Sequence, residues 1–438
     1  MVAALGLLGV WRLAMRLIGA PSVAFWTALL TGLYPIWFAQ STLAHADIYA
    51  AAGSIWGMVY ALPNRGRNAW AAALWFSAAA LCKETAIAIP LTLAAVNLGE
   101  GIWRGGPSRG RLWREAAWLA GCVVPLAGWY GYHYAKTGFV FGNAAYVHYN
   151  AQATLAPLRI LAAFAHRVLH LTAHMNLFVP VLMASAAMLL SPRPDREGHE
   201  RATLGGLVLL RIFFMVLVNA VLFSVLGGAL LTRYLLPMYP LVLLACVSTI
   251  YRRVPYWAGL AAVSAAAFAV GLFINPPYGF APEDNLAYAH VIRMHQSAIG
   301  ELKKRYPAAT VLTAWPVSDE LRRPELGYVK QPWDVVAIDD FSPPQIDRAA
   351  QETAAYSAAL VFSTKYDPPK PLFSFDRGAI EERYFGLHHD LAPERIASRL
   401  DGSLEWRRDE MGLWIALIRF HHPVEAQSAP EGPRPAGD

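Results

Sequence analysis

Residues 203–224 read TLGGLVLLRIFFMVLVNAVLFS, a stretch in which Arg211 carries the only charge. An α-helix needs about 20 mostly apolar residues to cross the hydrocarbon core of a bilayer. The stretch therefore predicts a membrane-spanning helix, with Arg211 expected to reach toward the inner surface. Further candidate spans are 1–18, 22–40, 43–62, 115–133, 171–190, 235–250 and 256–274.

The composition divides the chain into two regions. Hydrophobic residues make up 56% of the sequence and charged residues 16%, against about 25% charged in an average soluble domain. The long apolar runs precede Asn275, and most acidic residues follow it. We predict a polytopic α-helical membrane domain of about ten spans over 1–275. An extracytoplasmic α/β domain over 276–422 and a disordered tail over 423–438, rich in Pro and Gly, complete the prediction.

Charge and cysteine usage exclude some functions. The net charge is +6, but the basic residues of the apolar region lie in short clusters between spans, which does not favour nucleic acid as a partner. Cys82, Cys122 and Cys246 all fall in apolar runs, so neither a disulfide framework nor a cysteine metal site is indicated.

Basic clusters predict the orientation in the membrane. They are Arg65 with Arg67, Arg104 with three further arginines to Arg114, Arg193 to Arg201, and Arg252 with Arg253. All fall on one side of the predicted spans, and the positive-inside rule assigns that side to the cytoplasm. We therefore expect a multi-pass protein of the inner (plasma) membrane with Met1 and the C-terminal domain outside.

The apolar stretch 69–98 is too long for one span and is interrupted by Lys83 and Glu84. It predicts two short helices that meet near the outer surface, and a broken helix is a pointer to a binding site. The two charges can neutralise each other, but sequence neighbours do not face each other on a helix, so each is expected to have its own partner. A lysine in an outer cavity suits a phosphate ligand.

Other ionisable residues lie near the predicted outer ends of spans, where their cost favours a functional role. Asp47 follows His45 and either caps its helix or lines an aqueous cavity. Arg233 with Tyr234 begins a span from the outer side, where the arginine either snorkels or holds an anionic lipid head group. His45 and Glu84 are further candidate cavity residues.

Metal ligands are weakly indicated. His166, His170 and His174 recur every four residues, which permits a metal site, but packing at the interface is the favoured interpretation. Asp339-Asp340 and His388-His389-Asp390 are acidic or histidine-rich segments of a kind common in surface loops. No metal ligand is assigned, and a requirement for a divalent metal stays open.

Three segments together resemble the membrane glycosyltransferases of the GT-C class, the group of the protein O-mannosyltransferases and aminoarabinose transferases. They are Tyr34-Pro35 with Gln40-Ser41 and Asp47, then Leu81-Cys82-Lys83-Glu84-Thr85, then Arg233-Tyr234-Leu235-Leu236-Pro237 with Pro240. The resemblance covers roughly residues 1–250 and depends on the order of these segments.

This resemblance implies transfer of a hexosyl or pentosyl group from a polyprenyl-phosphate donor to a glycan, lipid or protein acceptor at the outer face. It implies that Lys83, Arg233 and Tyr234 bind the donor phosphate, with a supporting role for Asp47. Members of the class carry principal catalytic acids in a first outer loop that this sequence lacks, so the N-terminus is expected to be shortened and no principal base is assigned. A transporter or flippase for a lipid-linked sugar, or a non-catalytic binding protein, would use the same residues.

Overall fold

The protein, known from a computed structural model, is described over residues 1–63, 68–105, 108–140, 155–195, 198–226, 230–352, 355–366, 368 and 389–420. It forms two compact units: one comprises Met1–Pro276 with Glu283–Leu286, and the other comprises Pro277–Pro282 with the chain from Ala287 onward. The helical unit thus extends past the predicted boundary at residue 275 by including Glu283–Leu286. The predicted tail over 423–438 lies outside the described residues.

The first unit is helical in its described part. Its α-helices are α1 (Val2–Ile18), α2 (Pro21–Leu33), α3 (Pro35–Gln40), α4 (Ala46–Ala61), α5 (Ala69–Cys82), α6 (Ala88–Arg104), α7 (Ser108–Ala120), α8 (Val123–Thr137), α9 (Pro157–Thr172), α10 (Phe178–Ala187), α11 (Gly206–Leu226), α12 (Tyr239–Arg253) and α13 (Trp257–Phe273). Short 3₁₀ turns occupy Glu84–Ile87, His174–Asn176, Thr232–Leu235 and Pro282–Asp284.

Two helical segments of the described chain, Glu84–Arg104 and Gly206–Leu226, are long and apolar enough to cross a membrane. A third is obtained if the segments Pro157–Asn176 and Phe178–Ala187, which meet at 98°, count as one broken span. Shorter apolar helices include Pro21–Leu33 and Trp257–Phe273. Length and apolarity therefore support fewer spans than the sequence predicts.

Several predicted spans are divided. The stretch 22–40 breaks at Tyr34, whose extended backbone precedes Pro35, because a proline cannot continue the preceding helix. The stretch 115–133 was expected as one helix, but the chain turns at Gly121 and Cys122, between α7 and α8. The predicted break at Lys83 is observed.

Helices α4 and α5 pack closely at Gly57. A Cβ atom at this position would lie 2.5 Å from the Phe76 ring, and Phe76 is fully buried. Glycine is therefore required here for close approach of the helices.

We expect Gly57→Ala to destabilise the folded protein by about 1–3 kcal/mol, the usual cost of overpacking a dense core. Gly99→Ala is the matched control, because its Cβ would meet nothing within 4 Å and alanine favours a helix. Thermal unfolding of the two purified variants in detergent measures the difference. Equal midpoints would contradict the close packing.

Arg211 does not extend to a surface, contrary to the prediction. It is 2% exposed, and its Nη2 donates to Glu100 Oε2 at 2.7 Å and to Asn97 Oδ1 at 3.3 Å. Arg211 lies on α11 and its partners lie on α6. A charge buried in an apolar helix is tolerated when it is paired in this way, so this pair joins the two most span-like helices.

Large apolar side chains cover the outer faces of the helical unit. Exposed examples from seven helices are Leu8, Phe25, Leu74, Leu161, Leu182, Phe213 and Phe273. Isolated exposed apolar residues are ordinary in water-soluble proteins, but extended apolar surfaces mark contact with a partner or a membrane.

The second unit is an α/β domain. Its elements are α14 (Ala287–Arg305), β1 (Val311–Ala314), α15 (Val317–Arg322), β2 (Val335–Ile338), α16 (Pro343–Ala349), β3 (Ala358–Phe362), α17 (Pro393–Arg399), β4 (Gly402–Glu410) and β5 (Leu413–Phe420). The sheet order is β2-β1-β3-β5-β4, with β1 parallel to β2 and β3 and β5 antiparallel to β3 and β4. The predicted partly parallel α/β domain is confirmed.

Candidate functional site

Lys83 directly follows the last residue of helix α5. Its backbone is extended (φ −151°, ψ 115°), between the end of α5 and the 3₁₀ turn Glu84–Ile87. Its amide still donates to Ala79 O at 2.9 Å, so the break keeps the last helical hydrogen bond. The ammonium group donates to Asp47 Oδ1 and lies 3.9 Å from the centroid of the Tyr234 ring.

Asp47 occupies the first turn of α4, where the helix dipole favours a negative charge. The helix begins at Ala46, directly after His45, whose backbone is extended. The Asp47 carboxylate pairs with Lys83, and its Oδ2 lies 3.5 Å from Arg233 Nε. Asp47 thus lies in the first turn of a helix without a side-chain capping hydrogen bond, and its carboxylate contacts two cations from distant segments.

Arg233 belongs to the 3₁₀ turn Thr232–Leu235, which is anchored from several sides. Tyr239 donates its hydroxyl to Thr232 O at 3.1 Å, and Arg167 Nη1 donates to Leu231 O at 2.8 Å. These bonds fix the main chain of the two residues that precede Arg233. A guanidinium held on such a turn is oriented before a ligand arrives.

Glu283 completes the cluster. Arg233 Nη1 donates to Glu283 Oε1, so one guanidinium is flanked by Glu283 and Asp47. Asp47, Lys83, Arg233 and Glu283 are called the charged cluster below. Their side chains are between 8% and 18% exposed, which leaves each group partly desolvated and still reachable.

Burial raises the pKa of Glu283 to about 7. Arg233 lowers this pKa, whereas the negative charges of Asp284 and Asp47 raise it. A carboxyl group with such a pKa can gain or lose a proton near neutral pH. Glu283 is therefore equipped for proton transfer as well as for an ion pair.

Asp284 forms a fully buried support beside the charged cluster. Its Oδ1 accepts a hydrogen bond from Thr232 Oγ1, and its Oδ2 lies 3.0 Å from His174 Nε2. The carbonyl of His174 in turn accepts from the Tyr34 hydroxyl at 3.3 Å. This network ties the turn of Glu283 to the turn of Arg233.

His45 supports the same turn from the other side. Its Nδ1 lies 2.9 Å from Gln40 Oε1, and Gln40 Nε2 donates to the main-chain oxygen of Glu283 at 3.3 Å. His45 is thus two hydrogen bonds away from Glu283. The structure assigns it a supporting position at the cluster.

Of the two remaining predicted site residues, one contacts the charged cluster and the other does not. Tyr234 joins the cluster through its ring, which also stacks on Phe223 with a centroid distance of 5.3 Å. Glu84 is exposed and forms no ion pair with any residue that the structure describes. Lys83 and Glu84 were each expected to have a separate partner; Lys83 has one in Asp47, and among the described residues Glu84 has no ion-pair partner.

The rings of His166, His170 and His174 contact one another in sequence order. The His166 and His170 ring centroids are 4.3 Å apart, and those of His170 and His174 are 5.1 Å apart. An acidic partner, Asp284, lies beside the last of them, whereas none was foreseen from sequence. Over the described residues, no group of three or more His, Cys, Asp or Glu side chains is arranged to hold a metal ion.

The acidic segments of the α/β domain make hydrogen bonds within that domain. Asp340 Oδ1 accepts from the Ser342 amide at 3.0 Å, two residues away, and Asp390 Oδ2 accepts from the Thr364 amide at 2.8 Å, 26 residues away. His388 lies outside the described residues. The Asp340 carboxylate thus stabilises a turn, and the Asp390 carboxylate links two segments of the domain.

Sequence reasoning missed Glu283 and Asp284. They follow the last apolar run and were counted with the C-terminal domain, although they belong to the helical unit. The one available signal was a pair of acids immediately after Pro282, where a short turn is favoured. No family model, curated protein or solved structure matches this chain.

Proposed function

We propose that this chain is an integral membrane glycosyltransferase that moves a sugar from a polyprenyl-phosphate donor to an acceptor at the outer membrane face. The charged cluster carries the proposal: two cations and two carboxylates meet, partly exposed, in a helical unit with a largely apolar surface. Ionisable groups at such a place are costly and mark substrate sites.

The proposal includes a membrane arrangement. We infer that the helical unit is embedded in the inner (plasma) membrane with about ten crossings, counting short and broken helices. Exposed side chains such as Phe25, Leu161 and Phe213 support lipid contact. The basic clusters support a cytoplasmic location for the opposite loops and an outside location for the α/β domain.

Donor binding is assigned to Lys83, Arg233 and Tyr234. The guanidinium of Arg233 suits two oxygens of a phosphate at once, and the ammonium of Lys83 adds a point charge. Lys83 lies against the face of Tyr234, a contact that positions the cation. These groups stabilise the negative charge that develops on the departing phosphate.

The chemistry is a displacement at the anomeric carbon. An acceptor hydroxyl attacks, the bond from carbon to the phosphate oxygen breaks, and the proton of the hydroxyl passes to a base. Asp47 holds both cations in place, which agrees with a supporting role. Lys83 and Arg233 supply the positive charge for donor recognition.

Binding of polyprenyl phosphate to the purified protein tests donor recognition. We expect the lipid phosphate to raise the thermal unfolding midpoint, whereas a polyprenol of the same length has little effect, because the cluster recognises the phosphate. Equal effects of the two lipids would contradict the assignment. Transfer is then measured with a labelled polyprenyl-phosphate sugar and envelope material as acceptor.

The 98° bend between Pro157–Asn176 and Phe178–Ala187 favours a second function, transport of a lipid-linked sugar, because broken helices are common in transporters. Vesicles that contain the protein and a labelled donor distinguish the two. Movement of intact donor between leaflets indicates a transporter or flippase. Appearance of free polyprenyl phosphate together with labelled acceptor indicates a transferase.

A further inference from the structure

We propose that Glu283 occupies the place of the donor phosphate in the ligand-free protein and, once displaced from Arg233, removes the proton from the acceptor hydroxyl. The inference rests on the proposed function and assigns the base that the sequence left unassigned. It concerns a residue outside all three segments that carry the family resemblance.

The ion pairs indicate which carboxylate is exchangeable. The Asp47 carboxylate forms ion pairs with both Lys83 and Arg233. Among the described residues, the Glu283 carboxylate forms an ion pair with Arg233 alone. Losing one ion pair costs less than losing two. An incoming phosphate is therefore expected to displace Glu283 and to leave Asp47 bound.

Arg233 has capacity for such a ligand. Its Nε is buried and makes no hydrogen bond in the part of the chain that the structure describes, the nearest carboxylate oxygen being Asp47 Oδ2 at 3.5 Å. A buried donor with only this long contact still carries a desolvation cost. The two non-bridging oxygens of the donor phosphate can accept from the guanidinium in a bidentate arrangement, which can include this Nε.

Glu283 stays near the site after displacement. Its main-chain oxygen accepts from Gln40, and the next residue, Asp284, is held by Thr232 and His174. The exchange therefore needs rotation of the Glu283 side chain and no movement of the main chain. The freed carboxylate remains beside the bound donor.

Displacement also makes Glu283 a stronger base. Arg233 is the charge that lowers its pKa, while burial, Asp284 and Asp47 raise it. When the donor phosphate takes over Arg233, the opposing effect is lost and a second anion is added nearby. Donor binding thus couples charge recognition to activation of the base.

In the reaction step, the acceptor oxygen forms a bond to the anomeric carbon as that carbon loses its bond to the phosphate oxygen. The bonding electron pair leaves with polyprenyl phosphate, which Arg233 and Lys83 stabilise. The hydroxyl proton passes to the Glu283 carboxylate. No oxidant, reductant or further reactant is required.

The test is Glu283→Gln, compared with Glu325→Gln. Both glutamates follow a proline at the start of a 3₁₀ turn, and Glu325 lies exposed in the α/β domain. We expect Glu283→Gln to bind polyprenyl phosphate several-fold more tightly and to lower the transfer rate by about 100-fold or more, the usual effect of losing a general base. Glu325→Gln is expected to match the wild type in both.

The split between binding and turnover separates this role from a structural one. Transfer at the wild-type rate by Glu283→Gln overturns the base assignment, and weaker binding of polyprenyl phosphate overturns the displacement. If the wild type transfers sugar while either result is obtained, the proposed function stands and this inference fails. If the wild type does not distinguish polyprenyl phosphate from polyprenol, both fail.

Discussion

Replacing Arg233 by alanine is expected to weaken binding of polyprenyl phosphate about 10- to 100-fold, since a hydrogen bond to a charged group contributes about 1.5–3 kcal/mol. The amount of folded protein in the membrane should fall far less. Arg233 is held on an anchored turn and its guanidinium is the group that meets both carboxylates. Binding of labelled polyprenyl phosphate, normalised to folded protein, measures the effect.

The loss of Arg233 also leaves two carboxylates facing each other without their shared cation. The double variant Arg233→Ala with Glu283→Gln removes part of this repulsion, so it separates ligand binding from folding. Arg348→Ala, at an exposed position of the α/β domain, is the control for removal of one positive charge. If binding and folded protein decline equally in the double variant, Arg233 is structural.

Replacing Glu100 by alanine is expected to destabilise the helical unit by about 3–5 kcal/mol, the cost of leaving a buried charge without its partner. Arg211 is 2% exposed and loses its 2.7 Å ion pair. Its Nη1 already has no hydrogen-bond acceptor within the described residues. Denaturant titration of the purified protein, followed by tryptophan fluorescence, measures the change.

Removing both charges should restore most of the stability. The variant Glu100→Leu with Arg211→Met keeps similar volumes and needs no buried ion pair, a replacement that is often neutral or stabilising. Glu301→Ala is the surface control, because Glu301 pairs with exposed partners on its own helix, where ion pairs contribute little. A double variant as unstable as Glu100→Ala would contradict this account.

The charged cluster was predictable in part. Asp47, Lys83 and Arg233 stood out because charges are rare beside apolar runs, and the structure brings these three together. Their mutual contacts were not predictable, since the pairing of Asp47 with Lys83, 36 residues away, and with the still more distant Arg233 depends on tertiary packing. Glu283 was missed because an acid in a polar segment gives no such contrast.

The fold was predictable where periodicity was strong. The helices Val2–Ile18 and Trp257–Phe273 lie where the apolar runs 1–18 and 256–274 indicated them. Strand Gly402–Glu410 was missed because it ends in four consecutive charged residues and contains no apolar run, and edge strands often carry such charges. The turn within 115–133 was missed although Gly121 in the turn and Pro125 in the first turn of the next helix mark it.

The contact between Arg211 and Glu100 also has a consequence for the order of assembly. Glu100 precedes Arg211 by 111 residues, so a ribosome that starts at the N-terminus completes the acid long before it reaches the arginine. In the proposed membrane arrangement, the counter-charge is already available on the earlier helix when the later helix leaves the translocation machinery. An arginine that is unfavourable alone in lipid can then pair with Glu100 and so determine which helix packs against its own during biogenesis.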